Sequence, residues 1–319
     1  MKRVLLLLCA LLLCALSVSA FAEGDGVRVG ALKGPTAMGM VQLMRDEADR
    51  YAFTLTAAPD EIVPVLVKGE LDFAAVPGNL GAVLYNNTQG AVRALAINTL
   101  GVLYIVERGD SVHSVEDLRG RTLVTAGKGA TPEYALNYIL RGNGIDPKSD
   151  ITIEFKSEHA ECLAAMLADD SIVAMLPQPF ATVAQGKAED LRIALDLTRE
   201  WDALQSGSQA PSTLVTGIAV ARASFIEEHP EAVRQFLADY AASVAFTQEH
   251  IVEAAQLIGQ FDIFEAAPAE KALPQCSITY IDGEEMRTLL GGYLAELYTQ
   301  DPTAVGGSEP DDAFYFIAQ

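Results

Sequence analysis

Two four-residue segments carry the clearest chemical pattern in the 319-residue chain. Lys33-Gly34-Pro35-Thr36 and Lys128-Gly129-Ala130-Thr131 both read Lys-Gly-x-Thr, and each lies between a β-rich run and a helical one. A turn at the carboxyl end of a parallel strand leaves backbone N–H groups open, and the N-terminus of the next helix adds partial positive charge. That combination suits ligand atoms that accept hydrogen bonds or carry negative charge. The same turns can also be purely structural, with glycine allowing the tight backbone and threonine capping the helix. If the two halves of the chain face each other, the turns line one cleft, and Gly127 belongs to the second of them.

Other junctions offer further handles. Pro77-Gly78-Asn79 stands between a strand and a helix, where the Asn79 amide can donate and accept hydrogen bonds or simply complete a capped turn. In Pro177-Gln178-Pro179-Phe180 the prolines shape a loop, while Gln178 and Phe180 supply an amide and a ring. Trp201, the single tryptophan, follows a strand end and suits either the site or the core.

Enzyme signatures fail at particular residues. Gly127-Lys128-Gly129 resembles the end of a phosphate loop, but Thr122 stands where its first glycine belongs. No G-x-S-x-G elbow occurs. The histidines at 113, 159, 229 and 250 show no metal-ligand spacing, so no metal site is expected. His159-Ala160-Glu161 matches half of a zinc deaminase pattern, but the paired thiols are missing and the segment reads as a helix start. Neither catalysis nor a cofactor is expected.

These residues need a scaffold, and the chain supplies one by alternation. β-rich runs at Val27–Leu32, Leu71–Val76 and Ala91–Ile97 are separated by helical patterns, among them one that Asp60 can cap. The alternation restarts after Gly120, with runs at Arg121–Ala126, Ile151–Phe155, Ile172–Leu176 and Leu191–Leu197. In this second part Thr131 reads as an N-cap followed by a proline at the first helical position. Repeated strand–helix units predict α/β architecture with mostly parallel sheets flanked by helices. After the run Thr213–Ala221 come helices with apolar spacing at Val233, Phe236, Leu237, Tyr240 and Val244, and again from Met286 to Leu297. No third strand-rich unit follows, so this tail is expected to pack back on the first lobe. The expected division is a signal segment over 1–22, a first lobe from 23–103 and 215–319, and a second lobe over 104–214. Crossings are placed near Gly101–Val106 and Leu214–Val220.

Lys2 and Arg3 precede an apolar run from Val4 to Leu16, and Ala20-Phe21-Ala22 fits signal-peptide cleavage. The run is shorter than the ~20 residues that span a bilayer. Cys9 and Cys14 lie within it behind leucines, so no lipid attachment is expected. Cys162 and Cys276 remain, and are read as buried thiols. The formal net charge of −21 excludes a phosphate-backbone partner, so no nucleic acid binding is expected.

Over essentially the whole mature chain the sequence resembles solute-binding proteins of ABC importers for nitrate, sulfonate, taurine and thiamine precursors. The pieces are LKGPTAMGM, EIVPVLVKGELDFAAVPGNLGAVLYN, NTLGVLYIVERGDSVHSVEDLRGRTL, TPEYAL, AMLPQP, TLVTGIAVARASFIEEHPEAV and GGSEPDDAFYF. The most telling is L-x-x-G-E-L-D-x-A-x-V-P, Leu66 to Pro77. The resemblance implies a two-lobed periplasmic-binding-protein fold with the ligand cleft between the lobes. It implies closure on a small polar ligand and delivery to a membrane permease, by a protein expected to act as a monomer. Relatives that synthesise pyrimidine carry a cysteine-rich motif with no counterpart here. The alternatives are an enzyme on the same fold, as in menaquinone synthesis, or a ligand-sensing module. The export signal weighs against the first, and the lack of an attached signalling domain against the second.

Overall fold

The structure, a computed structural model, describes residues 26–206 and 212–318. The expected signal segment, its cleavage site and the cysteines within it lie outside the described residues. Among the described residues, eleven strands form two sheets. The first holds β1 (Val27–Leu32), β2 (Tyr51–Thr56), β3 (Phe73–Pro77), β4 (Val92–Leu100), β10 (Val215–Arg222) and β11 (Ile278–Asp282), in the order β11-β4-β10-β3-β1-β2. The second holds β5 (Leu103–Arg108), β6 (Thr122–Thr125), β7 (Thr152–Phe155), β8 (Ile172–Pro177) and β9 (Leu191–Asp196), in the order β7-β6-β8-β5-β9.

Both sheets follow one plan. β1 pairs in parallel with β2 and β3, and β6 pairs in parallel with β7 and β8. Into each sheet one antiparallel strand is inserted, β10 beside β3 and β5 beside β8. These two strands are the first that each sheet receives after the chain crosses from the other. Each lies antiparallel to the strands on both sides of it. Counting outward from the inserted strand, β3 and β1 in the first sheet correspond to β8 and β6 in the second.

Helices cover both faces. Along the first sheet run α1 (Pro35–Met38), α2 (Val41–Asp46), α3 (Pro59–Val67) and α4 (Gly78–Asn87). The second sheet carries α5 (Thr131–Gly142), α6 (His159–Ala168), α7 (Phe180–Gln185) and α8 (Leu197–Gln205). The tail supplies α9 (Ala223–Glu228), α10 (Pro230–Glu249), α11 (Ile251–Gln260), α12 (Ala266–Ala272) and α13 (Gly283–Gln300). The apolar stripe of α10 is buried from Val233 to Val244 in one cluster with Val29 and Phe73 of the first sheet and with Met40. Phe73 and Phe236 stack with centroids 4.0 Å apart.

Three apolar cores result. One lies on a single face of the first sheet, and another, around Val106, Cys162 and Leu176, on a single face of the second. The remaining core is continuous across both sheets, joining Ile97, Ile218 and Tyr293 to Ile105, Leu123 and Trp201.

Between the sheets the chain is short and unusual. Gly101 and Val102 both have left-handed backbones, φ 63° and 66°. For a β-branched residue this is a strained conformation. The Gly101 N–H donates to the Leu214 carbonyl on the returning strand at 2.8 Å, and the Gln178 N–H donates to the Val102 carbonyl at 3.1 Å.

Several expectations are corrected. β2, β5 and β11 were not legible as strands. β2 and β11 are half-exposed edges, so their apolar alternation is weak, and the run that forms β5 reads equally well as a connecting segment. Thr131 is not an N-cap: Ala130 holds that place, without a side-chain cap, and Thr131 is the first helical residue. Asp60 likewise lies within the first turn of α3, behind Ala58.

Candidate functional site

The candidate site lies where the carboxyl ends of the parallel strands of the two sheets meet. After β3, Pro77 leads into α4, and Asn79 lies in its first turn, 2% exposed. After β6, a loop leads into α5, whose Thr131 is 1% exposed. The Thr131 hydroxyl donates to Asn79 Oδ1 at 3.3 Å, joining a helix of the first sheet to one of the second. Asn79 Nδ2 donates to the Ala304 carbonyl at 3.1 Å, and the Tyr293 hydroxyl donates to Thr131 Oγ1 at 3.0 Å. Burial pushes the Tyr293 phenol well above its ordinary range, so it stays a neutral donor.

The corresponding junction of the second sheet follows β8. Gln178 is fully buried. Its Oε1 accepts from the Thr182 hydroxyl at 2.8 Å, and its Nε2 donates to Gln275 Oε1 of the first lobe at 3.0 Å. The Tyr104 hydroxyl donates to the Gln275 carbonyl at 3.1 Å. Beside this pair, Phe180 meets Phe264 edge-on with centroids 5.3 Å apart, and lies 5.6 Å from the His159 ring. Burial lowers the His159 pKa to about 4, so its imidazole is neutral.

The two Lys-Gly-x-Thr loops leave β1 and β6, the strands two places out from the inserted ones. Their glycines are obligatory on backbone grounds, with Gly34 at φ 126°, Gly127 at 83° and Gly129 at 73°. Gly34 is the N-cap residue of α1 and Pro35 its first helical residue. The Thr36 hydroxyl turns back to donate to the Leu32 carbonyl at 2.9 Å. Lys33 pairs with Asp262 at 2.6 Å and so holds that carboxyl below its ordinary value. Lys128 lies 5.8 Å over the Phe155 ring, and the Gly129 N–H donates to Glu133 at 2.6 Å. Lys33 is thus paired with a carboxylate and Lys128 lies against a ring, while the buried side chains Asn79, Thr131, Gln178 and Tyr293 are uncharged.

The floor of the first half of the candidate site was not legible in the sequence. Asn98 and Thr99, both 1% exposed, lie near the end of β4, and the Thr99 hydroxyl donates to Asn98 Oδ1 at 3.1 Å. Thr216 donates to the Thr99 carbonyl at 3.2 Å. Gly217 lies opposite, where a Cβ would meet Thr36 Cγ2 at 2.7 Å and crowd Asn98 Oδ1 still more closely. A readable signal was the polar pair Asn98-Thr99 after the apolar stretch Ala94–Ile97 of the same strand. Trp201 is fully buried in the core shared by both sheets, its indole donating to Ser212 Oγ at 3.1 Å and its rings close to Tyr138 and Tyr293.

The chemistry available is recognition by hydroxyls, amides and backbone N–H groups. Burial pushes the Cys162 thiol up to about 11 and the Cys276 thiol up to about 12, so neither is a ready nucleophile. Among the described residues no group of three or more His, Cys, Asp or Glu could hold a metal ion, and no helix is long and apolar enough to cross a membrane.

Comparison with known proteins agrees with this architecture. The chain matches the family described as ABC transporter, phosphonate, periplasmic substrate-binding protein over residues 44–271. Among solved structures it is similar to an ABC transporter protein from Parabacteroides distasonis, at 22% identity and TM-score 0.78, covering 93% of this chain and 100% of that one. It is also similar to the periplasmic aliphatic sulphonate binding protein SsuA from Escherichia coli, at 17% identity and TM-score 0.73, covering 93% and 94%. A periplasmic nitrate-binding protein from Synechocystis shares the fold at 13% identity and TM-score 0.57, covering 74% and 66%. No curated protein sequence matches the chain. With two helix-flanked sheets that meet at their strand ends and a family match over most of its length, the chain belongs to the periplasmic substrate-binding proteins of ABC transporters.

Proposed function

We propose that the protein captures a small oxyanion-bearing molecule, of the sulfonate or phosphonate class, between its two lobes and hands it to the permease of an ABC importer. The lobes are the units built on the two sheets, crossed at Gly101–Val102 and again between Gln205 and Leu214. The proposed contacts are the loops Lys33–Thr36 and Gly127–Thr131, the junction Pro77–Asn79, and Gln178 with Phe180. Trp201 acts from behind them.

One observation carries this reading. Two helices long enough to present a dipole, α4 and α5, direct their N-termini from opposite sheets at the same buried spot, where Thr131 bonds Asn79. Opposed N-termini with neutral hydroxyls and amides favour an anion without a matching lysine or arginine. Binding contacts drawn from both lobes stabilise the closed arrangement, which is how a ligand shifts a hinge equilibrium. The protein works outside the cytoplasm, as a monomer without a lipid anchor, and binds without catalysing a reaction.

Calorimetry with ethanesulfonate, methylphosphonate and nitrate tests the ligand class. Thr36→Val is expected to weaken binding of the preferred anion by ~1–3 kcal/mol, the cost of an unpaired buried polar group. Melting of the apo variant controls for lost stability. If none of the three anions binds, but mass spectrometry of protein extracted from its native host finds a cationic or neutral ligand, the oxyanion reading is wrong.

A further inference from the structure

The contacts that join the two sheets differ in kind on their two faces. On one face they include the half-exposed ring pair Phe180–Phe264, the Tyr104 hydroxyl on the Gln275 carbonyl, and the Gln178–Gln275 bond, whose Gln275 partner is exposed. On the other face the sheets share a continuous apolar core. Within that core sits a polar chain, Tyr293 hydroxyl to Thr131 hydroxyl to Asn79 amide to the Ala304 carbonyl, and Tyr293, Thr131 and Asn79 are each no more than 2% exposed. Tyr293 and Asn79 belong to the first lobe and Thr131 to the second. Each hydroxyl donates once along the chain, and Asn79 both accepts and donates.

We infer that this chain is a closure latch, with Tyr293 as the residue that positions it, a role that rests on the two-lobed closing motion proposed above. Thr131 is not needed as a helix cap, since Ala130 takes that position, and its hydroxyl serves the other lobe instead. Separating the lobes breaks the Thr131 bonds to Asn79 and Tyr293 together, and exposes the apolar surface around Trp201 and Leu297. A buried network of this type is worth most when every member is satisfied, and loses that value when one member is removed. The latch therefore biases the lobes toward closure through protein contacts alone, and the ligand need supply only the remainder. The Tyr293 ring also lies 5.7 Å from Trp201, so the same residue ties the latch to the shared core.

The test uses the one tryptophan of the chain, whose indole N–H is buried on Ser212. In refolded protein carrying no ligand, hydrogen exchange of that indole proton, followed by NMR, measures how often the face opens. Tyr293→Phe and Thr131→Val are expected to speed it about tenfold, the shift in the closed-to-open ratio from losing one buried hydrogen bond. Thr131→Ser keeps the hydroxyl and is expected to restore the wild-type rate. Amides of β8, deep in the second lobe, report global unfolding and are expected to change much less. An indole rate that is unchanged, or that rises only as much as the β8 amides, overturns the latch. The double variant Tyr293→Phe/Phe264→Ala separates two failures. If it alone speeds the indole, the lobes move but the latch is wrong. If no variant does, the closing motion fails with it.

Discussion

At the scale of single residues, one buried carboxylate, Asp72, is held at the amino ends of β1 and β3. Asp72, 4% exposed, receives Arg28 Nη2 and Arg222 Nη2, each at 2.7 Å. Burial works against its charge, but hydrogen bonds from the Arg28 side chain and backbone and from Arg222 outweigh it and hold the carboxyl below its ordinary value. A carboxyl depressed on folding adds stability above its unfolded pKa, and that stability is lost as pH falls through the folded value. Asp72→Asn is therefore expected to lower stability near pH 7 and to flatten the loss of stability below about pH 4, the unfolded carboxyl range. Urea titrations at stepped pH measure both effects, and an unchanged acid limb would contradict the assignment. Gly217→Ala is expected to destabilise by ~1–3 kcal/mol through overpacking against Asn98 and Thr36. A neutral melting curve would show that the β4–β10 floor gives way easily. Among the described residues the thiols of Cys162 and Cys276 are unpaired and buried, so a thiol reagent is expected to react with them within minutes only after denaturation.

At the scale of elements, legibility followed burial. Strands buried on both faces, such as β1, β3 and β8, stood out as apolar runs, and the α10 stripe was readable from Val233 to Val244. β5 was not: it looks like a link because its partners, β8 and β9, come only after two further strands and two helices of the same lobe. The loop glycines were legible as site candidates because only glycine takes their backbone angles, whereas Tyr293 and Asn98 look like any residue of an amphipathic helix or a strand end. Nothing local marks a hydroxyl whose partner is on another element. The link between lobes carries its own prediction. Val102→Gly removes the penalty of a β-branched left-handed residue, so it is expected to alter the closed-to-open ratio rather than simply loosen the chain. Small-angle scattering of wild type and variant reads this directly, and identical profiles together with an unchanged melting temperature would place no strain at Val102.

At the scale of the whole molecule, 43 acidic residues stand against 22 basic ones. The long-range field repels the anions that the site is proposed to hold, and salt screens that field over ~8–10 Å at physiological ionic strength. The association rate of ethanesulfonate or methylphosphonate is therefore expected to rise with added salt, while the dissociation rate stays nearly constant. Stopped-flow measurements between low and moderate salt check this, and a falling association rate would mean that a local cationic patch dominates the field.

The threading of the sheets also sets an order of events in time. β3 and β4 are made early, yet the place between them is filled by β10, whose Ala219 pairs with Ala75 and Ala96. The first sheet cannot become continuous until the whole of the second has been synthesised, whereas β5 to β9 form an uninterrupted stretch of chain. Long-range pairing of this sort is slow, because loop closure must be met before the contacts reward it. The second lobe is thus expected to fold first although the first emerges first, leaving the edges of β3 and β4 open to mispairing during export. Pulse-labelled hydrogen exchange would find β8 amides protected before those of β3, and a fragment ending before Val215 would aggregate more readily than the full chain.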